Sequence, residues 1–149
     1  LNGLRQLDRP AALTLRLPGQ ERGWALLSAM TSDTATLQVG TQRWLMPLTA
    51  LADIWRGEYT TLWRQPPGQS GRLGNGNSGP AAVWATQQLE RHQARGDLPA
   101  SALSFDQQVR AFQEANGLEA DGIAGPMTFM LINLAADVAE PRLGKASAS

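Results

Sequence analysis

The sequence predicts an α+β protein in two parts, a small antiparallel sheet region followed by a bundle of three helices. Three observations carry that expectation. Apolar residues alternate with a period of two between Leu13 and Trp63, interrupted by residues that favour hairpin turns. The stretch from Gln65 to Gly79, with Pro66-Pro67-Gly68 and Gly74-Asn75-Gly76-Asn77-Ser78-Gly79, holds almost no apolar side chain. After Pro80 the apolar spacing becomes helical, with start and stop signals around each segment.

In order along the chain, Leu13, Leu15 and Leu17 alternate with Thr14 and Arg16, and Pro18-Gly19 turns the chain. A second strand spans Trp24 to Ala29, ended by Ser32-Asp33. Ala35 to Val39 and Arg43 to Met46 follow, split by Gly40-Thr41, so the strands read as consecutive hairpins. Pro47 to Trp55 reads as a short helix stopped at Gly57, and Tyr59 to Trp63 as a last strand. Gly79-Pro80 opens the first helix of the second part, which runs to about Ala94 with Ala82, Ala85 and Leu89 on one face and Gly96 closing it. Ser104 and Gln107 form a capping box for the next helix, with Asp106 adding negative charge in its first turn. Phe105, Val109 and Phe112 give that helix its apolar face, and Asn116-Gly117 ends it. Gly125-Pro126 starts the third helix, with Met127, Met130 or Leu131, and Leu134 as its buried stripe. The expected organisation is therefore a sheet region over 1–64, a linker over 65–79, a three-helix domain over 80–138 and a flexible tail over 139–149.

Composition narrows the function. The formal net charge is zero, which gives no electrostatic footprint for nucleic acid. No apolar run reaches membrane-spanning length. With no cysteine there is no disulfide and no thiolate, although an oxidising compartment stays open. The chain begins at Leu1 without a methionine, which reads as a fragment or a processed product.

The order V-x-x-F-Q-x-x-x-G-L-x-x-D-G-I-x-G-P-x-T is carried by Val109, Phe112, Gln113, Gly117, Leu118, Asp121, Gly122, Ile123, Gly125, Pro126 and Thr128. It resembles the three-helix peptidoglycan-binding domain of bacterial wall enzymes. The run from Trp24 to Trp63 is similar to the sheet half of the C39-type cysteine peptidase fold. The residues that carry this likeness are Trp24-Ala25-Leu26-Leu27, Ala35-Thr36-Leu37, and Leu51, Ile54, Trp55, Gly57, Glu58 and Tyr59. Active members of that family place a histidine at the start of the first of these strands and an aspartate after the second. Here Gly23-Trp24 and Gln38-Val39 stand there, so the resemblance implies a non-catalytic relative. Together the two parts resemble the periplasmic end of the general secretion pathway A family, inner-membrane ATPase subunits of type II secretion. In that family the ATPase and the membrane segment precede this region.

Each candidate site residue also has a plain structural role. His92 is the only histidine and sits among Glu90, Arg91, Gln93 and Arg95, so it reads as a solvated helix residue. One histidine and no cysteine supply no zinc site, and no metal or cofactor is expected. Asp121, alone or with Glu114 or Glu119, invites an acid–base reading, but an Asp-Gly turn bonded to backbone amides comes first. Trp24, Trp44, Trp55 and Trp63 read as core anchors of the sheet, while Trp84, off the Ala82-Ala85-Leu89 face, is open to two readings, plain packing or the edge of a binding groove. Gln113, Asn116 and Thr128 bring amide and hydroxyl groups to the Leu118–Gly125 loop, where peptide groups, N-acetyl groups or a stem-peptide carboxylate would fit. The expected ligand-contacting set is Gln113, Asn116, Asp121, Gly122, Ile123, Gly125, Thr128 and Trp84, with no catalytic residue.

The leading expectation is a non-catalytic periplasmic module that binds peptidoglycan, through glycan or stem peptide. The alternatives are a protein-interaction or self-association module of a secretion assembly, and the wall-targeting domain of a cell-wall hydrolase.

Overall fold

The computed structural model describes residues 1–19, 22–68, 71–74, 76–96 and 103–144. The chain divides into two compact units, Leu1–Trp63 joined by the segment from Ala139 onward, and Arg64–Val138. In chain order the second unit is thus an insertion between two pieces of the first.

The first unit is a five-stranded antiparallel sheet, as the alternating pattern predicts. Its strands are β1 (Ala11–Arg16), β2 (Arg22–Met30), β3 (Thr34–Val39), β4 (Gln42–Pro47) and β5 (Trp55–Thr61), in the spatial order β4-β3-β2-β1-β5. Two short helices, α1 (Asn2–Leu7) and α2 (Leu48–Ile54), cover one face. Leu4 and Leu51 enter a core with Leu13, Leu15, Ala25, Leu27, Ala35 and Leu37, the inward residues of β1, β2 and β3. Because side chains alternate across a strand, residues two apart share this face.

Several details differ from the sequence reading, each for a physical reason. Helix α1 was not expected; it is six residues long and ends at Asp8 in the left-handed region (φ 47°) instead of at a glycine. Gly57 does not stop α2, which runs straight into β5 at Trp55. It sits instead in a bulge, since Leu13 pairs with Tyr59 and Leu15 with Trp55, and its φ of 96° suits the extra residues there. Of the four sheet tryptophans, Trp55 packs against the core and Trp63 is half-buried, but Trp24 and Trp44 are not core anchors. Trp24 is 63 % exposed on the face away from the helices, and Trp44 is 49 % exposed on the edge strand β4.

The expected tail instead completes the sheet unit. Gly144 lies in parallel beside Ala29, its N–H donating to Ser28 O at 2.9 Å while Met30 N–H donates to its carbonyl at 3.3 Å. Leu143 N–H donates to Asp8 O, and Glu140 accepts from Arg9 Nη2 at 3.0 Å. That ion pair is almost wholly buried, at 2 % and 3 % side-chain exposure. Residues 145–149 of the expected tail, and Gln69, Ser70 and Asn75 of the expected linker, lie outside the described residues.

The second unit is built from α3 (Pro80–Ala94), α4 (Phe105–Ala115) and α5 (Pro126–Ala135). Helix α3 packs on both of the others, burying Ala81, Ala82, Ala85, Gln88, Leu89 and His92. His92 is therefore not solvated; it is 5 % exposed and its ring meets Phe112 at 5.7 Å between centroids. It continues the Ala85–Leu89 stripe three residues on, so helical spacing outweighs its charged sequence neighbours. Helix α4 begins at the expected capping box, with Ser104 N–H donating to Gln107 Oε1 at 3.0 Å. Helix α5 is buried through Thr128–Asn133 with Phe129 and Ile132 fully enclosed, while Met127 and Leu134 are only half-buried.

The described residues of the expected linker are not a free connection. Leu73 is buried and forms an antiparallel bridge to Ala124, with N–H···O distances of 3.0 and 2.7 Å in the two directions. Arg64 O accepts from Asn133 Nδ2 at 2.8 Å. The segment before α3 is part of the helical unit.

Candidate functional site

The loop between α4 and α5 is ordered from both ends by one glutamine. At the end of α4 the backbone carbonyl of Gln113 accepts from Leu118 N–H at 2.9 Å, and Gly117 N–H donates to Glu114 O. With Gly117 at φ 64° this is a Schellman stop, which glycine enters without a Cβ penalty. The Gln113 side chain then turns inward. It is 2 % exposed, its Oε1 accepts from the buried Gly122 N–H at 3.0 Å, and its Nε2 faces three acceptors. Those are Asp121 Oδ1 at 2.9 Å, Ile123 O at 3.1 Å and Thr128 Oγ1 at 3.3 Å. An amide suits this place because it donates and accepts within one planar group.

Asp121 closes the turn. Its Oδ1 also accepts from Ile123 N–H at 2.9 Å, an Asx turn over two residues. The Ile123 amide first and the Gln113 side chain second hold its carboxyl below the usual range, against an opposing effect of desolvation and with smaller help from the charges of Arg72 and Arg110. Arg110 clasps the loop from outside, Nη1 donating to Ala120 O at 2.6 Å. At Gly122 the φ of 75° favours glycine, and a Cβ there, 2.9 Å from Arg110 Nε, would also push the Arg110 side chain aside.

Beside this loop lies an open cleft of about 380 Å³. Asp121, Ile123 and Gly125 line it from the loop, Pro126 and Thr128 from the start of α5, and Arg72 from the segment before α3. Arg72 Nη2 stands 3.7 Å from Asp121 Oδ2. Among the described residues no group of three His, Cys, Asp or Glu side chains could hold a metal ion, and no helix is long and apolar enough to cross a membrane.

Residues 78–132, which carry this loop, match the family described as "Putative peptidoglycan binding domain". The chain as a whole is 31 % identical over 142 residues to General secretion pathway protein A of Aeromonas hydrophila. That match takes in 94 % of this chain and 26 % of the relative. It also resembles, at 32 % identity and a TM-score of 0.52, the crystal structure of a periplasmic domain of the EpsAB fusion protein of the Vibrio vulnificus type II secretion system. There the match covers 88 % of this chain and 59 % of that one. The chain thus spans about a quarter of the curated relative it matches.

Within the helical unit the structure gathers Gln113, Asp121, Gly122, Ile123 and Thr128 into one hydrogen-bonded network, and places Gly125 on the same cleft. Their exposures separate them. Gln113 and Thr128 are 2 % and 3 % exposed and bonded to each other, while Ile123 is 38 % exposed. Asn116 is turned back to its own helix, Nδ2 donating to Phe112 O at 2.8 Å. Trp84 is half-buried on α3 and does not line the cleft. The sequence reading missed Arg72 and Arg110. The one available signal for Arg72 was a charged and an apolar residue side by side, Arg72-Leu73, in an otherwise glycine-rich stretch.

Proposed function

We propose that this chain is a non-catalytic, periplasmic peptidoglycan-binding module of a type II secretion assembly, and that it holds the wall polymer in the cleft beside the Leu118–Gly125 loop. The observation that carries the reading is the loop itself. It spends a buried glutamine, an Asx turn and two positive-φ glycines on holding one shape next to an open cleft. A rigid concave surface suits recognition of a repetitive polymer, because little ordering entropy is lost on binding.

In this reading Gln113, Gly122 and Thr128 set the loop's shape. Asp121, Ile123 and the Gly125 backbone touch the ligand. Asn116 ends a helix, and Trp84 serves packing. A single site of this size buries little surface, so affinity is micromolar or weaker and rises when copies are joined. The relationship to General secretion pathway protein A supports a place in secretion.

The test is sedimentation with purified insoluble sacculi at low salt, with assay of the supernatant for released fragments. Retention without release is expected. Passage into the supernatant, or soluble muropeptides accumulating with time, would overturn the reading.

A second reading, docking of a partner protein or a second copy on the sheet unit, is favoured by Trp24, Leu26 and Leu45. All three are more than 40 % exposed on the face away from α1 and α2. Separating the two is direct, since a Trp24→Ser variant would lose partner binding and keep wall retention.

A further inference from the structure

We infer that Arg72, which lies outside the matched domain, is a ligand-contacting residue of the cleft and takes a carboxylate of the wall's stem peptide. The inference rests on the wall-binding reading and names which part of the polymer is read.

The matched domain begins at residue 78. Six residues earlier the chain is already part of the site. Leu73 is buried and bonded in both directions to Ala124, the residue between Ile123 and Gly125 of the loop. That bridge fixes the backbone one residue from Arg72 and makes the segment a second wall of the cleft. The guanidinium lies against Gly125, where a Cβ would stand 3.3 Å from Arg72 Nε. Glycine at 125 therefore leaves room for this arginine as well as starting α5.

Three features make Arg72 a recognition group instead of an internal tie. Its side chain is 66 % exposed while its backbone is pinned, so the charge is positioned yet open to solvent. Its contact with Asp121 is 3.7 Å, longer than a hydrogen bond, and uses one nitrogen of a group with five N–H donors. Asp121 Oδ1 is already filled by Gln113 and the Ile123 amide, which leaves only Oδ2 facing the arginine. A planar fork of N–H donors is complementary to a carboxylate, which it binds in bidentate fashion. Stem peptides carry free carboxylates, whereas N-acetyl groups on the glycan offer neutral single acceptors. The chemistry selects the peptide.

The experiment titrates the whole chain with intact sacculi, and with glycan strands stripped of stem peptides by an amidase, at two salt concentrations. Arg72→Ala is expected to weaken retention by intact sacculi at least fivefold and to flatten its salt dependence, and Arg72→Glu to weaken it further. Stripped glycan is expected to retain neither the parent nor the variants. Amide exchange of α4 and α5 in each variant should match the parent, which separates lost contact from lost fold. If the parent is retained and Arg72→Ala binds as well, this inference is wrong and wall binding stands. Amide hydrolysis leaves the lactyl carboxylate on the stripped glycan, so equal retention there would overturn the assignment to the stem peptide. Absence of retention for the parent itself would remove the wall-binding reading and this one with it.

Discussion

Replacing Gln113 with alanine should loosen the helical unit by about 2–4 kcal/mol, most of it from one hydrogen bond. Gly122 N–H is buried and Gln113 Oε1 accepts from it at 3.0 Å; without that acceptor the unmade donor costs about 1–3 kcal/mol. Nε2 serves Asp121, Ile123 and Thr128. The first two are partly open to water, which can replace the amide, so their loss adds less; the buried Thr128 hydroxyl and the small cavity make up the rest. The assay is native-state amide exchange, because it reports the two units separately. Protection at Val109, Phe112, Phe129 and Ile132 should fall about 30- to 1,000-fold, while Leu13, Leu27 and Leu37 of the sheet serve as internal controls. Gln113→Glu is the sharper companion. It keeps the acceptor for Gly122 but sets a carboxylate oxygen against Asp121 Oδ1 and Ile123 O, so at neutral pH it should be no better tolerated than alanine. A loss of protection below threefold for alanine, or parent-like behaviour of the glutamate variant, would refute the view that this side chain holds the loop.

Glu140→Ala should destabilise the sheet unit by about 3–5 kcal/mol, because Arg9 would stay buried without its carboxylate; urea unfolding followed by exchange of the sheet amides reads it. Asp121→Asn should flatten the acid limb of stability in the helical unit. With the folded pKa lowered, the parent's contribution is complete above the unfolded value of about 3.9 and is lost as pH falls from there through the folded value, so melts between about pH 5 and 2 should diverge less for the variant. A fragment of residues 64–138 should melt cooperatively by circular dichroism, and one of residues 80–136 should melt lower, since it lacks the Leu73–Ala124 bridge and the Arg64 acceptor for Asn133.

What the sequence made legible was local. The capping box, the Schellman glycine and the Asx turn each lie within a few residues, so their chemistry appears as short patterns, and the strands of the sheet appear through period two. His92 was legible and misread, because its spacing from Ala85 and Leu89 was the better guide than its charged neighbours. What stayed hidden depends on distant partners. Nothing near Arg72-Leu73 indicates that Ala124 will pair with it, and nothing near Glu140 points to Arg9. Trp24 and Trp44 were misplaced for a related reason: burial of a large aromatic depends on what covers its face of the sheet, and strand pattern alone does not say which strand is an edge.

The closing of the first unit by the chain's far end sets an order of events during synthesis. Arg9 and Glu140 are 131 positions apart, and at about 5–20 residues per second the second emerges roughly 7–26 s after the first. Throughout that interval Ala29 and Met30 have no Gly144 beside them, and the Arg9 guanidinium has no Glu140 carboxylate with which to share its burial. The inserted helices, whose contacts lie within residues 64–138, are complete sooner. The unit that begins the chain is the last to finish.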